Sequence, residues 1–350
     1  MNNIRIGIIG VTGLVGKTLL ALLCDDNTST YSNNIKVCAS DNSVGITMTY
    51  NNNNFQLARL DESFFDLLDV VFFCADTNTS TKWVGYANSR GVFVIDNSSA
   101  FRLNTDVPLV IPEINGYLIE ETEHGLIANP NCCTAILCMA IFPLLKLSEI
   151  KRIDVSTYQA VSGAGQAGIT ELTNQCNQFT RATDITSSAF PSQIFANCFS
   201  HNTPIDEDTG YCEEELKMIW ETRKILNRDI EISATCVRIP VFTSHSESVK
   251  ITFENPVLES DIRSALQNFK GVKIMDDIQN GKFPEPVLAS GQTDIFVGRI
   301  RRDYFDRTNT VYHMFICGDQ LLKGASYNAF QIFKEYEKIT NEIREYTAGV

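Results

Sequence analysis

Positive charge is scarce in this 350-residue chain: 29 lysines and arginines stand against 42 aspartates and glutamates, a formal net charge of -13. Such a surface repels nucleic acid and anionic membrane, so neither is expected as a partner, and an anionic ligand would need a local cluster of cations. Long apolar runs are missing as well. No segment reaches spanning length, and Met1-Asn2-Asn3-Ile4-Arg5 opens no basic, then apolar, then small-residue series of a secretory leader. A cytoplasmic protein is the expectation. Paired C-x-x-C ligands are absent and no Cys/His spacing fits a metal site, so no metal is expected. Only four histidines are available to move protons.

What is present suits two domains with cores of their own: 44% hydrophobic and 20% charged residues over this length. The eleven cysteines are scattered, and Cys24, Cys38, Cys74 and Cys138 lie inside apolar runs, where a free thiol acts as a small hydrophobe.

The first half alternates strand and helix. Ile4 to Ile9 is an apolar strand that opens into Gly10-Val11-Thr12-Gly13-Leu14-Val15-Gly16 and then a helix. Glycines spaced by three in that setting let the backbone approach a pyrophosphate at the helix N-terminus. The next strand, Ile35 to Ala39, ends at Ser40-Asp41-Asn42-Ser43, where a ribose is read; the aspartate favours NAD and the serines NADP, so this position points both ways. Asn51 to Asn54 reads as a solvated turn. Further strands are expected at Val70 to Ala75, Val92 to Ile95, Leu109 to Ile111 and Gly125 to Ala128, with a polar loop, Asp96 to Arg102, at a strand end where a doubly wound sheet puts its ligands. Arg102 is either a phosphate partner or a solvated loop arginine.

The last of those strands runs into Asn129-Pro130-Asn131-Cys132-Cys133-Thr134 and an apolar helix, which puts a cysteine at a helix N-terminus. There the unpaired N–H groups and the helix dipole favour a thiolate and can hold an oxyanion. Beyond it the strands lengthen: Lys151 to Val161, Ile230 to Val241, Ser248 to Phe253, Ile295 to Ile300 and Val311 to Ile316, with helices at Ile169 to Phe179, Glu213 to Leu226 and Ser260 to Phe269. This pattern suggests an α+β domain on a mostly antiparallel sheet. A closing helix, Leu321 to Tyr346, is expected to pack on the first domain. Ser162 to Gly168 is a second glycine-rich loop without a strand-turn-helix unit, suited to tight packing.

A thiol nucleophile needs a proton partner. His124 and His201 fall in polar turns or loops, His313 reads as a core histidine within a strand, and His245, after a strand end, is preferred by elimination. Glu214 and Lys217 share a helix face and Arg238 is a candidate carboxylate clamp, although each alone also reads as a surface ion pair.

Set in order, GVTGLVG at Gly10 to Gly16, VIDNSSAFR at Val94 to Arg102, NPNCCT, TYQAVSGAGQAGITEL at Thr157 to Leu172, EELKMIWETRKI at Glu214 to Ile225, CVRIPVFTSHSESV at Cys236 to Val249, VGRIRRD at Val297 to Asp303 and KGAS at Lys323 to Ser326 resemble aspartate-semialdehyde dehydrogenase over essentially the whole chain. The resemblance implies an α/β fold with a Rossmann-type dinucleotide-binding domain, residues 1–131 completed by a C-terminal helix over 320–350. An α+β catalytic and dimerisation domain of the glyceraldehyde-3-phosphate-dehydrogenase-like type would take 132–319. It implies Cys132 as nucleophile, His245 as acid/base and Gln159 orienting the substrate, with Cys133 where serine is common. Adjacent helix residues point about 100° apart, so only one of the two thiols is expected at the site.

The same matching implies Glu214 for the substrate ammonium, Arg238 for its α-carboxylate, and Lys217, Arg102 and Asn97 for phosphate. Cofactor contacts would come from Gly10, Thr12, Gly13, Leu14, Val15, Gly16, Ser40, Ser43, Ala75, Ser162, Gly163 and Gln320. The implied reaction is reduction of L-aspartyl 4-phosphate to aspartate 4-semialdehyde with NADPH, in lysine, threonine and methionine biosynthesis, by a homodimer or homotetramer. NAD is not excluded. Three departures stand out: Asp41-Asn42 where the family often has an arginine, Asp76-Thr77 for a glycine pair, and Asp319-Gln320-Leu321 for Asp-Asn-Leu. N-acetyl-γ-glutamyl-phosphate reductase and a non-catalytic paralogue are the rival readings.

Overall fold

Ile6–Ile9 (β1) is buried along its whole length, as a parallel strand covered by helices on both faces must be. The computed structural model describes residues 4–26, 31–122 and 125–348, and the chain divides into two units, Met1–Pro130 with Ala325–Val350, and Asn131–Gly324.

In the first unit β1 pairs in parallel with Ile35–Cys38 (β2) on one side and Val70–Phe73 (β5) on the other. Thr47–Tyr50 (β3), Asn53–Ala58 (β4), Phe93–Asp96 (β6) and Leu126–Ala128 (β7) complete a sheet of order β3-β4-β2-β1-β5-β6-β7. The strand order reverses between β1 and β5, and a doubly wound sheet opens a ligand crevice at that point. Helices Leu14–Asp25 (α1), Thr77–Ser89 (α2) and Pro112–Asn115 (α3) follow β1, β5 and β6 in turn.

Two sequence expectations change here. Only Asn51 and Asn52 of the asparagine run are a turn, with φ of 45° and 64°, and Asn53 already begins β4. Paired left-handed residues are the signature of a tight hairpin, and asparagine tolerates them. Leu109 to Ile111 is no strand: Pro108 and Pro112 confine it, and Leu109 makes a single bridge to Ala128.

The second unit holds Ile150–Gln159 (β8), Phe199–Ser200 (β9), Glu231–Arg238 (β10), His245–Phe253 (β11), Val272–Ile274 (β12), Ile295–Arg302 (β13) and Val311–Gly318 (β14), in the order β12-β13-β14-β11-β8-β10-β9. Its helices are Cys132–Ile141 (α4), Gly165–Thr180 (α5), Glu213–Leu226 (α6), Glu259–Gln267 (α7) and Pro286–Ala289 (α8).

Register lines up the site. Arg238 lies opposite Gln159, and His245 opposite Gly318, while Ser246 opposite Tyr158 brings His245 beside Gln159. The next row on that face is Cys236, Thr157, Glu247 and Ile316. A Cβ on Gly318 would come within 2.9 Å of Ile136, so α4 lies close over the first row. The strand expected from Ser248 starts at His245 instead, which moves that histidine from a loop onto the sheet.

The closing helix, Tyr327–Ala348 (α9), starts six residues later than expected because Leu322–Ser326 forms a π-helical turn. Ala329, Ile332 and Phe333 of α9 are buried in one cluster with Ile6, Ile8, Val70 and Phe72.

Candidate active site

Asn131 caps α4. Its Oδ1 accepts from the N–H groups of Cys133 at 2.9 Å and Thr134 at 3.2 Å, its Nδ2 donates to Glu214 Oε1 at 2.8 Å, and its N–H donates to Glu221 Oε2 at 2.7 Å. Asparagine is among the best N-caps, so the N-P-N before the cysteines already carried this signal. Two carboxylates of α6 thereby fix the start of the helix that presents Cys132.

Sγ of Cys132, Sγ of Cys133 and a ring nitrogen of His245 lie within 4.8 Å of one another. Both thiols therefore reach one place, against the expectation of a single one; side chains as short as cysteine stay close even when their directions differ by a helical step. Donation from the Cys133 thiol, with help from the neighbouring His245 imidazole, holds the Cys132 thiol well below its ordinary range against the opposing effect of burial. Burial, and then the charge on Cys132, push Cys133 well above it. The pair divides into one thiolate and one thiol donor.

His245 is fully buried. Its Nδ1 accepts the N–H of Ala160 at 3.0 Å, so the proton of the neutral ring sits on Nε2, which has no protein hydrogen-bond partner. Ser244 before it has φ of +70°, a left-handed conformation that costs a non-glycine residue about 1 kcal/mol. Gln320 holds that turn: its Oε1 accepts from Ser244 N–H at 2.7 Å and its Nε2 donates to Ser162 Oγ. Both ends of the Gln320 amide are thus engaged within the protein.

Around this core, Gln159 Nε2 reaches Glu214 Oε1 and Thr157 Oγ1, each at 3.3 Å. Glu214 is buried on α6, not a surface partner, and Lys217 Nζ stands 3.9 Å from it and 2.9 Å from Glu213. Arg238 is 3% exposed; its Nη1 donates to Ala160 O at 2.7 Å, its Nη2 contacts His201 Nε2 at 2.7 Å, and its Nε has no partner. A buried guanidinium with N–H groups to spare suits an anion.

The stretch from Ser162 to Gly168 does stand in a strand-turn-helix unit, as the turn after β8 and the first residues of α5, contrary to its reading from sequence. Its packing is against the site, since a Cβ on Gly163 would come within 2.9 Å of Arg238 Nη1 and 3.3 Å of His245 Nε2. Gly324 plays the same part for Cys132, whose Cβ would be 2.8 Å from an added side chain.

Sequence reasoning passed over Glu247. Two residues along β11 from His245, it is 0% exposed, and neither carboxylate oxygen has a hydrogen-bond partner. Burial, then the Cys132 charge, raise its pKa well above the carboxylate range, so it is an uncharged acid.

In the first unit the expected cofactor residues fit a dinucleotide. Gly10 has φ of +83°, and a Cβ there would meet Cys74 O at 2.4 Å, next to Ala75. A Cβ on Gly16 would meet Gly10 O at the same distance. Thr12 and Gly13 are exposed ahead of α1, Leu14 and Val15 open it, and Gly13, its N-cap, offers no side chain to take up the N–H groups. Ser40 caps and Ser43 closes a 3-10 turn that follows β2. Arg59, a residue the sequence reading missed, sets its Nε 3.9 Å from Asp41 Oδ1 and restores a cation beside those serines. Arg102 is no solvated loop arginine: it is 8% exposed, with Nε on Asn129 O and Nη2 on Asn97 O, both at 2.8 Å. Asn97 Nδ2 donates to Phe73 O at 3.0 Å while its Oδ1 is buried without a partner.

Of the other histidines, His124 lies outside the described residues. His313 is not a core histidine but pairs with Asp303 at 2.9 Å on a partly exposed face. No helix among the described residues is long and apolar enough to cross a membrane.

Residues 5–122 match the model of a semialdehyde dehydrogenase NAD binding domain, and 141–323 that of a semialdehyde dehydrogenase dimerisation domain. Fold and thiol-imidazole site together are those of an oxidoreductase that uses a nicotinamide dinucleotide. The aspartate-semialdehyde dehydrogenase of Synechocystis sp. is 42% identical over 330 residues, covering 94% of this chain and 96% of that protein. That of Aquifex aeolicus is 40% identical over 332 residues, again 94% and 96%. The crystal structure of aspartate semialdehyde dehydrogenase II from Vibrio cholerae, complexed with ASA, superposes with a TM-score of 0.91 at 34% identity, over 97% of this chain and 99% of that one. The chain belongs to the aspartate-semialdehyde dehydrogenase family, the one its motifs resemble.

Proposed function

We propose that the protein converts L-aspartyl 4-phosphate to L-aspartate 4-semialdehyde, and the reverse in the presence of phosphate. The observation that carries this reading is the Cys132 thiol, depressed in pKa at the start of α4 and within 4.8 Å of His245. Its thiolate attacks the acyl carbon, a C–S bond forms as the C–O bond to phosphate breaks, and phosphate leaves. The cofactor, when bound, supplies hydride to the resulting thioester carbonyl. The alkoxide so formed collapses by expelling the Cys132 thiolate, a step that needs no proton. His245, whose Nδ1 is engaged by Ala160, offers Nε2–H to the alkoxide and to the departing sulfur, which is the donor half of the acid/base role.

Glu214 pairs with the free ammonium of the substrate, which an N-acetylated analogue lacks, and Arg238 with its α-carboxylate. Lys217, Arg102 and Asn97 take the phosphate, and Gln159 orients the acyl group. The Gly10 to Gly16 loop, Ala75, Ser162 and Gly163 line the cofactor, while Gln320 serves it indirectly through Ser162. NADP is the preferred cofactor: Arg59 offsets Asp41 next to Ser40 and Ser43. The enzyme works in the cytoplasm as a homodimer formed through the second unit, or as a pair of such dimers.

Phosphate-dependent reduction of NADP by L-aspartate 4-semialdehyde tests the reading. Turnover with that substrate but not with N-acetylglutamate semialdehyde is expected; the opposite preference, or none, sinks it.

A further inference from the structure

Arg238 is held by neutral groups. Its guanidinium carries donors only, so where Nη2 meets His201 Nε2 at 2.7 Å the imidazole nitrogen must accept. That puts the ring proton on Nδ1, which faces Thr203 Oγ1 at 3.3 Å, and the same hydroxyl oxygen accepts the N–H of Glu214 at 3.2 Å. A chain of hydrogen bonds therefore runs from Arg238 through His201 and Thr203 to the backbone of Glu214, tying together the two residues read as holding the ends of an amino acid.

His201 is itself pinned. It follows β9, whose Phe199 pairs with Arg238 across the sheet, and its N–H donates to Cys236 O at 2.8 Å. Phe190 closes the other side, with its ring centre 5.8 Å from the Arg238 guanidinium carbon. Burial, with the charge of Arg238 in the same direction, lowers the His201 pKa even though Glu214 opposes it, which favours the neutral acceptor.

A carboxylate in the place of His201 would orient Arg238 equally well but would neutralise it, and would compete with any incoming carboxylate. A neutral acceptor fixes the geometry and leaves the charge for the ligand. We propose that His201 is the positioning residue of Arg238, setting affinity for the α-carboxylate of the substrate without taking part in the chemistry. The inference rests on Arg238 being the carboxylate clamp.

The test is steady-state kinetics of the full-length protein with L-aspartate 4-semialdehyde, phosphate and NADP, on wild type, His201→Ala, His201→Gln, His201→Glu and Arg238→Ala. His201→Ala should raise KM for the semialdehyde by about 10- to 100-fold, the range for a lost hydrogen bond to a charged group, with kcat and the KM values for phosphate and NADP within about twofold. His201→Gln, whose amide oxygen can accept, should recover most of the loss and also shows that the position tolerates substitution. His201→Glu should not recover it. An unchanged semialdehyde KM in His201→Ala, a parallel fall in all parameters, or rescue by glutamate as good as by glutamine would overturn the inference, provided Arg238→Ala raises that KM. If Arg238→Ala leaves it unchanged, or wild type does not turn the semialdehyde over, the reading of Arg238 fails and the inference falls with it.

Discussion

Arg238 and His245 are both held by the backbone of Ala160: its carbonyl accepts from Arg238 Nη1 at 2.7 Å, and its N–H donates to His245 Nδ1 at 3.0 Å. The residue that would hold the substrate and the one that would steady its reacting oxygen are thus referenced to the same residue. Ala160 sits at φ of -63°, the value proline fixes, and follows an extended strand that tolerates one. Ala160→Pro should therefore fold, yet it removes the donor and puts a ring carbon in the path of the imidazole. The expected result is a native circular dichroism spectrum with kcat lowered about 10²- to 10⁴-fold, the scale of losing a positioned proton partner.

Cys133 is expected to act through its S–H. Cys133→Ala removes the donor that most depresses Cys132, so the thiolate should form only at higher pH, and the acid limb of kcat/KM should move up. Cys133→Ser, with a hydroxyl to donate, should leave that limb nearly in place. The pH dependence of alkylation by iodoacetamide reads the thiolate directly and would show the same order.

Arg59 should decide between cofactors. Arg59→Ala removes the cation that offsets Asp41, so affinity for NADP should fall by about tenfold, the loss of one exposed charge-assisted contact, while affinity for NAD stays put. Cofactor fluorescence titration on the resting protein measures both, and equal losses would argue against a role at the 2′-phosphate.

Glu247 ties stability to pH. Its folded-state pKa is raised by burial, so the folded protein keeps a proton that the unfolded chain releases. The stability this gives is fully present below the ordinary carboxylate range and is lost as pH rises towards the raised value, by about 1.4 kcal/mol per pH unit. Glu247→Gln has no proton to lose. Its advantage over wild type in urea unfolding should be small in acid and grow towards neutral pH.

Much of this was legible in the chain. Alternating apolar strands and the Gly10 to Gly16 turn carried the first unit, because a parallel sheet and a close backbone approach each demand particular residues at particular spacings. The strand running through Asn129 to Thr134 into an apolar helix placed Cys132 at a helix N-terminus. What stayed hidden depends on strand register and on distant partners. His245 reads as a loop residue until β11 pairs with β14, and His201 reads as a polar turn until β9 lays it against Arg238. Glu247 gives no sign locally, since only the tertiary packing around β11 decides whether its buried carboxyl finds a partner. The second thiol was discounted on helical angles, where side-chain length decided the outcome.

The central claim is that Cys132 carries the acyl group. Incubating the protein with L-aspartyl 4-phosphate without reduced cofactor, quenching in acid and mapping the adduct by mass spectrometry tests it most directly. The thioester is expected on Cys132 in wild type and Cys133→Ala, and should be missing in Cys132→Ala. An adduct on Cys133, or full turnover by Cys132→Ala, would contradict it.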